Sequence, residues 1–256
     1  MIKKDNTEEI IEKEITRKEE EKKAIDTTKE AWRPKTELGK KVKSGEVKNI
    51  DEILDKGLKI MEVEIIDILL PNLKTELLMI GQSKGKFGGG KRSIWKQTQK
   101  KTKEGNKPKF ATMAVVGNSD GYVGIGYSKS RETVPARERA TRNAKLNLIK
   151  VRRGCGEWTC ACNKSHSIPF KIEGKCGSIR LTLKPAPQGV NLCVEEELKK
   201  VLSLAGIRDI YSKTKGQTRT RINLVKACFF ALKRLNTTKI KPDDIKKLRI
   251  IEGINQ

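Results

Sequence analysis

Two kinds of apolar spacing alternate along the chain. In KFATMAVVGNSDGYVGIGYSKS, Phe110, Thr112, Ala114 and Val116 alternate with their neighbours, and Tyr122, Val123 and Ile125 resume after Asn118-Ser119-Asp120-Gly121. A period of two predicts two strands with a turn between them. The period then lengthens. TVPARERATRNAKLNLI (133–149) predicts a helix with Ala136, Ala140, Ala144 and Leu148 on one face and Arg139, Arg142 and Lys145 on the other. Such a small-residue face packs closely onto a sheet and leaves a cationic face outside. IPFKIEGKCGSIRLTLKPAPQG again predicts two strands around a turn. VEEELKKVLSLAG places Leu198, Val201, Leu202 and Ala205 at helical spacing, with acids in its first turn and Gly206 as a stop. IRDIYSKTKGQTRT reads as a strand running into a basic loop. RINLVKACFFALKRL predicts a helix with Ile222, Val225, Phe229 and Leu232 on one face.

The first eighty residues are less regular. Residues 1–30 hold ten acidic and eight basic residues and read as a solvated helix or a disordered tail. Trp32 before Arg33-Pro34 suggests an extended anchor, while Leu38, Val42 and Val47 fit short packing turns. Ile50 to Leu54 predicts a short helix ended by Gly57. The apolar run from Ile65 to Leu70 stops at Pro71. GQSKGKFGGGKRS (81–93) and KQTQKKTKEGNKPK (96–109) read as a basic connection of poor order. The expected organisation is α+β in two small units of roughly 60–150 and 165–236, joined at a cysteine-rich segment.

Composition narrows the function. The 256 residues carry 56 Lys and Arg against 32 Asp and Glu, a formal charge of +24. Self-repulsion on that scale disfavours a compact state unless a polyanion neutralises it, which makes nucleic acid the expected partner and a membrane surface the weaker one. No apolar run approaches the ~20 residues that span a bilayer, and the N-terminus lacks the apolar stretch of a signal peptide. Six cysteines without such a signal point to a reducing compartment, where clustered thiols favour metal over disulfides.

RRGCGEWTCACNKSH (152–166) concentrates that chemistry. Cys155, Cys160, Cys162 and His166 follow C-x4-C-x-C-x3-H, and Cys176 lies ten residues further on. Zinc takes four such ligands tetrahedrally, and short loops between ligands lower the closure entropy. A structural zinc held by Cys155, Cys160, Cys162 and His166 is the expected arrangement, His166 being favoured because it keeps the site local, with Cys176 as the alternative fourth ligand. Buried free thiols or a redox pair remain open. Cys193 and Cys228 stand alone among apolar neighbours and read as core thiols. A catalytic cysteine would need its own base, and the single histidine cannot serve both a metal and a dyad.

Other motifs are weaker. Gly85 to Arg92 satisfies G-x4-G-K, but Arg92 replaces the Ser or Thr that would ligate magnesium. Gly117, Gly121, Gly124 and Gly126 do not form the dinucleotide fingerprint. They read either as a hairpin lacking bulk or as a loop whose backbone approaches RNA, helped by Lys129 and Arg131. Basic clusters recur: Lys84 to Lys109, including Lys101, Lys103, Lys107 and Lys109; Arg137 to Lys145; Arg152-Arg153; and Lys213, Lys215, Arg219 and Arg221. With so few aromatics, phosphate neutralisation and shape recognition of folded RNA fit better than base stacking.

VRRGCGEWTCACNKSHSIPFKIEGKCGSIR, preceded by VVGNSDGYVGIG and RNAKLNLI and flanked by WRPKTELGKKVKSGEVKNIDEIL and LAGIRDIYSKTKGQTRTRINLVKA, resembles the fifth protein of the small ribosomal subunit over about residues 31–236. The CGEWTCAC segment looks like the archaeal version. The resemblance implies a double-stranded-RNA-binding-like domain within 31–150 (core about 75–150), a junction at 151–164, and a left-handed β-α-β domain at 165–236. The 1–30 and 237–256 segments would be tails. It implies no catalysis, and the job of binding 16S-type rRNA near the decoding region and the channel by which mRNA enters, beside the fourth small-subunit protein. It places such a protein in the cytoplasm, within the ribosome, supporting accurate decoding. No membrane partner and no homo-oligomer are expected. The resemblance puts Gly121 to Gly126 in a loop reaching the decoding centre, Thr102, Gly105, Lys107 and Lys109 in an rRNA-contacting loop, and Arg152-Arg153 at the start of the inter-domain stretch. A free RNA-binding protein with a structural zinc site is the alternative. Three features depart from the family's pattern. Its proline turn usually runs P-A-P-R-G-T-G, whereas here Pro185 to Asn191 reads PAPQGVN. Lys84 to Ser93 looks like an insertion, and the N-terminal Glu/Lys tail is also unlike it.

Overall fold

The computed structural model describes residues 32–82, 91–162 and 164–253. The 1–30 tail and most of the Lys84–Ser93 insertion, including the phosphate-loop-like glycines, lie outside the described residues. Two compact units divide the chain, Met1–Asn72 and Leu73–Gln256.

Among its described residues the first unit holds three short helices, α1 (Glu37–Ser44), α2 (Ile50–Asp55) and α3 (Glu64–Leu69). The segment expected to make short turns is helical because Thr36 caps it, its hydroxyl accepting from Gly39 N–H at 3.1 Å, and Gly45 ends it at φ +83°. Val42, Ile50, Ile53, Ile60, Ile65, Ile66 and Leu70 are buried in this unit. Trp32 is buried and donates from Nε1 to Glu62 Oε2 at 2.9 Å. Glu62 Oε1 accepts the N–H groups of Lys35 and Thr36 at 2.9 and 2.7 Å. Desolvation pulls this carboxyl upward, yet the hydrogen bonds from Thr36, Lys35 and Trp32 together outweigh it and leave its pKa lowered.

The second unit runs β1 (Lys74–Leu77), β2 (Gly81–Gln82), β3 (Arg92–Ser93), β4 (Lys96–Thr102), β5 (Gly105–Gly117), β6 (Tyr122–Ser130), α4 (Thr133–Leu146), β7 (Leu148–Lys150) and β8 (Arg152–Arg153). It continues through β9 (Ile172–Cys176), β10 (Ile179–Pro185), β11 (Leu192–Cys193), α5 (Glu196–Leu204), β12 (Ile210–Lys215), α6 (Arg221–Thr237), α7 (Pro242–Lys247) and β13 (Ile251–Glu252). None of the described helices is long and apolar enough to cross a membrane.

The first sheet has the order β1-β5-β6-β7, and β5 is long enough to serve two partners. Its C-terminal half pairs with β1, and its N-terminal half pairs antiparallel with β4 from Lys96↔Ala111 to Thr102↔Gly105. The stretch 96–109 is therefore a ladder and not a poorly ordered connection. Its pattern hid it because both faces are exposed and polar, and only main-chain pairing and a turn at Gly105, φ +115°, define it. On β5, Ala114 and Val116 face α4, while Met113 and Val115 point into a core shared with the C-terminal half. The alternation thus separates two buried faces.

The alanine face is confirmed. Ala136, Ala140 and Ala144 are fully buried, and a Cβ on Gly126 would collide with the Ala140 carbonyl and one on Gly124 with the Ala144 carbonyl. Leu148 falls beyond the helix, in β7.

The second sheet is ordered β11-β12-β10-β9, antiparallel except for the parallel β11–β12 pair that α5 connects. The helix α6 buries Leu224, Cys228, Ala231 and Leu235 together with Val225 and Leu232, so its core face is rotated from the expected one and Ile222 and Phe229 lie at its margin. One continuous core joins Met113, Val115 and Val123 to Ile168, Leu181, Leu183, Leu198 and Leu202. The junction lies inside this unit.

Candidate metal centre and nucleic-acid interface

The cysteine loop is closed at its base. Gly154 N–H donates to Ser167 O at 2.9 Å and Ser167 N–H returns to Gly154 O at 3.0 Å, so Cys155 and His166 leave from adjacent backbone. The ligand atoms of Cys155, Cys160, Cys162 and His166 all lie within 4.8 Å of one another. His166 Nε2 is 3.1 Å from Cys162 Sγ and 3.6 Å from Cys160 Sγ. A tetrahedral zinc with bonds of ~2.0–2.3 Å has ligand-to-ligand edges of about 3.5–3.8 Å, so the group needs little rearrangement to hold one. Cys176 lies elsewhere, at the end of β9, its sulfur 4.0 Å from Asn223 Oδ1, which leaves His166 as the fourth donor. Cys228 is the expected core thiol. Cys193 is not one, because it sits exposed on the short strand β11.

The thiols differ electrostatically. Desolvation, reinforced by hydrogen bonding to Cys162, pushes Cys155 up to about 12. The hydrogen bond from Cys162, helped by the Gln188 N–H, draws Cys160 down to about 6. His166 is 5% exposed, and its Nδ1 lies 2.7 Å from Asp209 Oδ2, close but not aligned for a full hydrogen bond. A metal on Nε2 would leave the proton on Nδ1, on the side that faces Asp209. Asp209 is not among the residues that the sequence singles out, since a buried acid at the start of a strand has no periodic signature.

Four of the sequence-selected cations meet in one place. Lys109, Lys129, Arg131 and Arg139 line a cleft of about 510 Å³, with Ser130, Glu132 and Pro135, at the open end of the β5–β6 hairpin and the first two turns of α4. Lys101, Lys103 and Lys107 are exposed around the β4–β5 turn, with Lys107 Nζ 2.6 Å from Glu104. Arg142 is exposed further along α4 and Lys145 is partly buried there. Lys213 and Arg219 are exposed on β12 and the loop after it.

Other selected residues serve the fold. Arg221 donates to Met79 O at 2.8 Å and lies 3.5 Å from Glu195. Arg152 pairs with Glu252 and donates to Leu235 O and Thr238 O. Arg153 is 4% exposed, pairs with Asp120 at 2.7 Å and donates to Gly253 O at 2.9 Å, so it leaves the set of outward cations. Gly124 and Gly126 are buried beneath α4, where their lack of a side chain admits the helix backbone. Gly121 ends a turn in which Asn118 Oδ1 accepts from Asp120 and Tyr122 N–H, and Gly253 packs against it.

Sequence comparison supplies the context. The ribosomal protein S5 N-terminal domain model matches residues 94–152 and the ribosomal protein S5 C-terminal domain model matches residues 174–249. The small ribosomal subunit protein uS5 of Nanoarchaeum equitans is 48% identical over 224 residues, covering 88% of this chain and 96% of that protein. The uS5 protein of Methanosphaera stadtmanae is 49% identical over 223 residues, covering 87% and 92%. That of Methanothermobacter thermautotrophicus is 45% identical over 221 residues, covering 86% and 95%.

Proposed function

The chain belongs to the ribosomal protein S5 family, and we propose from that membership that it is a structural, non-catalytic constituent of the small ribosomal subunit in the cytoplasm. Its partner is 16S-type rRNA. The observation that carries the RNA reading is the convergence of Lys109, Lys129, Arg131 and Arg139 on one cleft in a chain of charge +24. Phosphates entering there release counterions, and the outlying Lys101, Lys103, Lys107, Arg142, Lys213 and Arg219 extend the same field. The β4–β6 ladder with α4 fits a double-stranded-RNA-binding-like unit, and the C-terminal sheet with α5 and α6 the family's β-α-β unit. Placement near the mRNA-entering channel and the decoding region, beside the fourth small-subunit protein, completes the reading.

The metal is zinc, held by Cys155, Cys160, Cys162 and His166 and closing a loop beside the core shared by both halves. A structural zinc contributes folding free energy there and no reaction.

The test is sedimentation of native extract on a sucrose gradient, following the chain by blot and assaying zinc on the purified protein. Migration with the small subunit through moderate salt, with near-equimolar zinc, is expected. Chain at the top of the gradient would overturn the ribosomal reading in favour of a free RNA binder, and zinc-free protein would overturn the metal reading.

A further inference from the structure

We infer that Asp209 is the positioning residue of the metal centre: it orients His166 to ligate through Nε2 and ties the centre to the Gln188–Asn191 turn. This rests on the metal reading of the cluster. Asp209 is 4% exposed and stands between the two features. Its Oδ2 lies 2.7 Å from His166 Nδ1, and its Oδ1 accepts the N–H groups of Gly189 at 3.1 Å and Asn191 at 2.8 Å. The His166 carbonyl accepts from Arg208 and Asp209 N–H at 2.9 and 3.2 Å, so main chain and side chain hold the pair together.

An imidazole that gives its Nε2 lone pair to a metal carries its proton on Nδ1, and a carboxylate is the acceptor that makes this tautomer preferred. Asp209 Oδ2, 2.7 Å from Nδ1 but out of line with it, comes into alignment as Nε2 takes the metal, while Oδ1 anchors the turn. Loading the centre therefore tightens the turn, and the turn in turn supports the ligand.

Asp209→Asn separates this role from mere packing. Oδ1 faces two main-chain donors, so the asparagine carbonyl stays there and its NH2 group points at His166 Nδ1. Two donors then oppose each other whenever Nε2 holds a metal, while the turn keeps its acceptor. The cost falls on metal binding and not on the fold.

The experiment strips the full chain of metal and titrates wild type and Asp209→Asn with Zn2+ against a chromogenic chelator, with Co2+ spectra as a check on thiolate ligation. Urea midpoints of both metal-free forms and the amide resonances of Gly189 and Asn191 on loading are measured alongside. The expected result is zinc affinity about 10–100-fold weaker in Asp209→Asn, with matching metal-free midpoints and shifted wild-type turn amides. Equal affinities would overturn the inference. Should Asp209→Asn fail to fold, wild-type turn amides unmoved by zinc would overturn it instead. A wild type that binds neither metal overturns the metal reading itself, an outcome distinct from both.

Discussion

The guanidinium of Arg153 lies 2.7 Å from the carboxylate of Asp120, and the same side chain donates to the carbonyl of Gly253. One buried arginine thus joins the strand leading into the cysteine loop, the turn between β5 and β6, and the C-terminal segment. Around it, β13 pairs with β8, and Leu248 O accepts the N–H of Cys155. The segment expected to be a C-terminal tail is a strap across the junction.

Arg153→Ala is therefore expected to destabilise the protein by about 2–3 kcal/mol, less than a fully buried pair because Asp120 retains solvent. Arg152→Ala, at a side chain 17% exposed against 5% for Arg153, should cost about half as much. Urea unfolding midpoints decide it, and equal destabilisation by the two would count against the junction role of Arg153.

Gly126→Ala places a methyl group inside the Ala140 carbonyl and should cost about 2–3 kcal/mol as α4 lifts from the sheet. Gly105→Ala meets open space and carries only the strain of φ +115°, about 1 kcal/mol. Thermal unfolding of the two variants separates steric exclusion from backbone strain.

Replacing Lys109, Lys129, Arg131 and Arg139 together by glutamine should flatten the plot of log binding constant against log salt for an rRNA fragment. The slope should fall by about 0.7–0.9 for each phosphate that is no longer neutralised. Lys107→Gln should change the slope less, because the exposed Glu104 carboxylate 2.6 Å away offsets part of that charge. An unchanged slope in the fourfold variant would remove the cleft from the interface.

In metal-free protein, Cys160 should alkylate faster as pH rises through about 6, while Cys155 stays unreactive until far more alkaline solution. The Cys160 value is depressed from 9.0, so its contribution to stability is complete above that unfolded value and lost as pH falls through about 6. Mass spectrometry after brief iodoacetamide pulses, with and without added Zn2+, reads both the order of reaction and the protection.

Much of the fold is legible in the order of the residues alone. The alternation in β5 and β6, the alanine stripe of α4 and the Leu198–Ala205 spacing of α5 all appear as expected, because each records which side chains share a face a few residues apart. The β4–β5 ladder is not legible in this way, because strands that are polar and exposed on both faces leave no apolar period. The helix α6 is legible as a helix but not in its rotation, since Ile222 and Phe229 look apolar whether they point to the centre or the margin of the core.

The sequence by itself determined the strands and helices of apolar period, the excess of positive charge, and a four-ligand spacing that already contained Cys155, Cys160, Cys162 and His166. These are local quantities, written in neighbouring residues. Only the tertiary structure decided that His166 and not Cys176 completes the cluster, that Asp209 backs it, and that Arg153 turns inward while Lys109, Lys129, Arg131 and Arg139 share a cleft. The reason is physical: these choices join residues distant along the chain, and their energies depend on which groups the shared core brings together and shields from water.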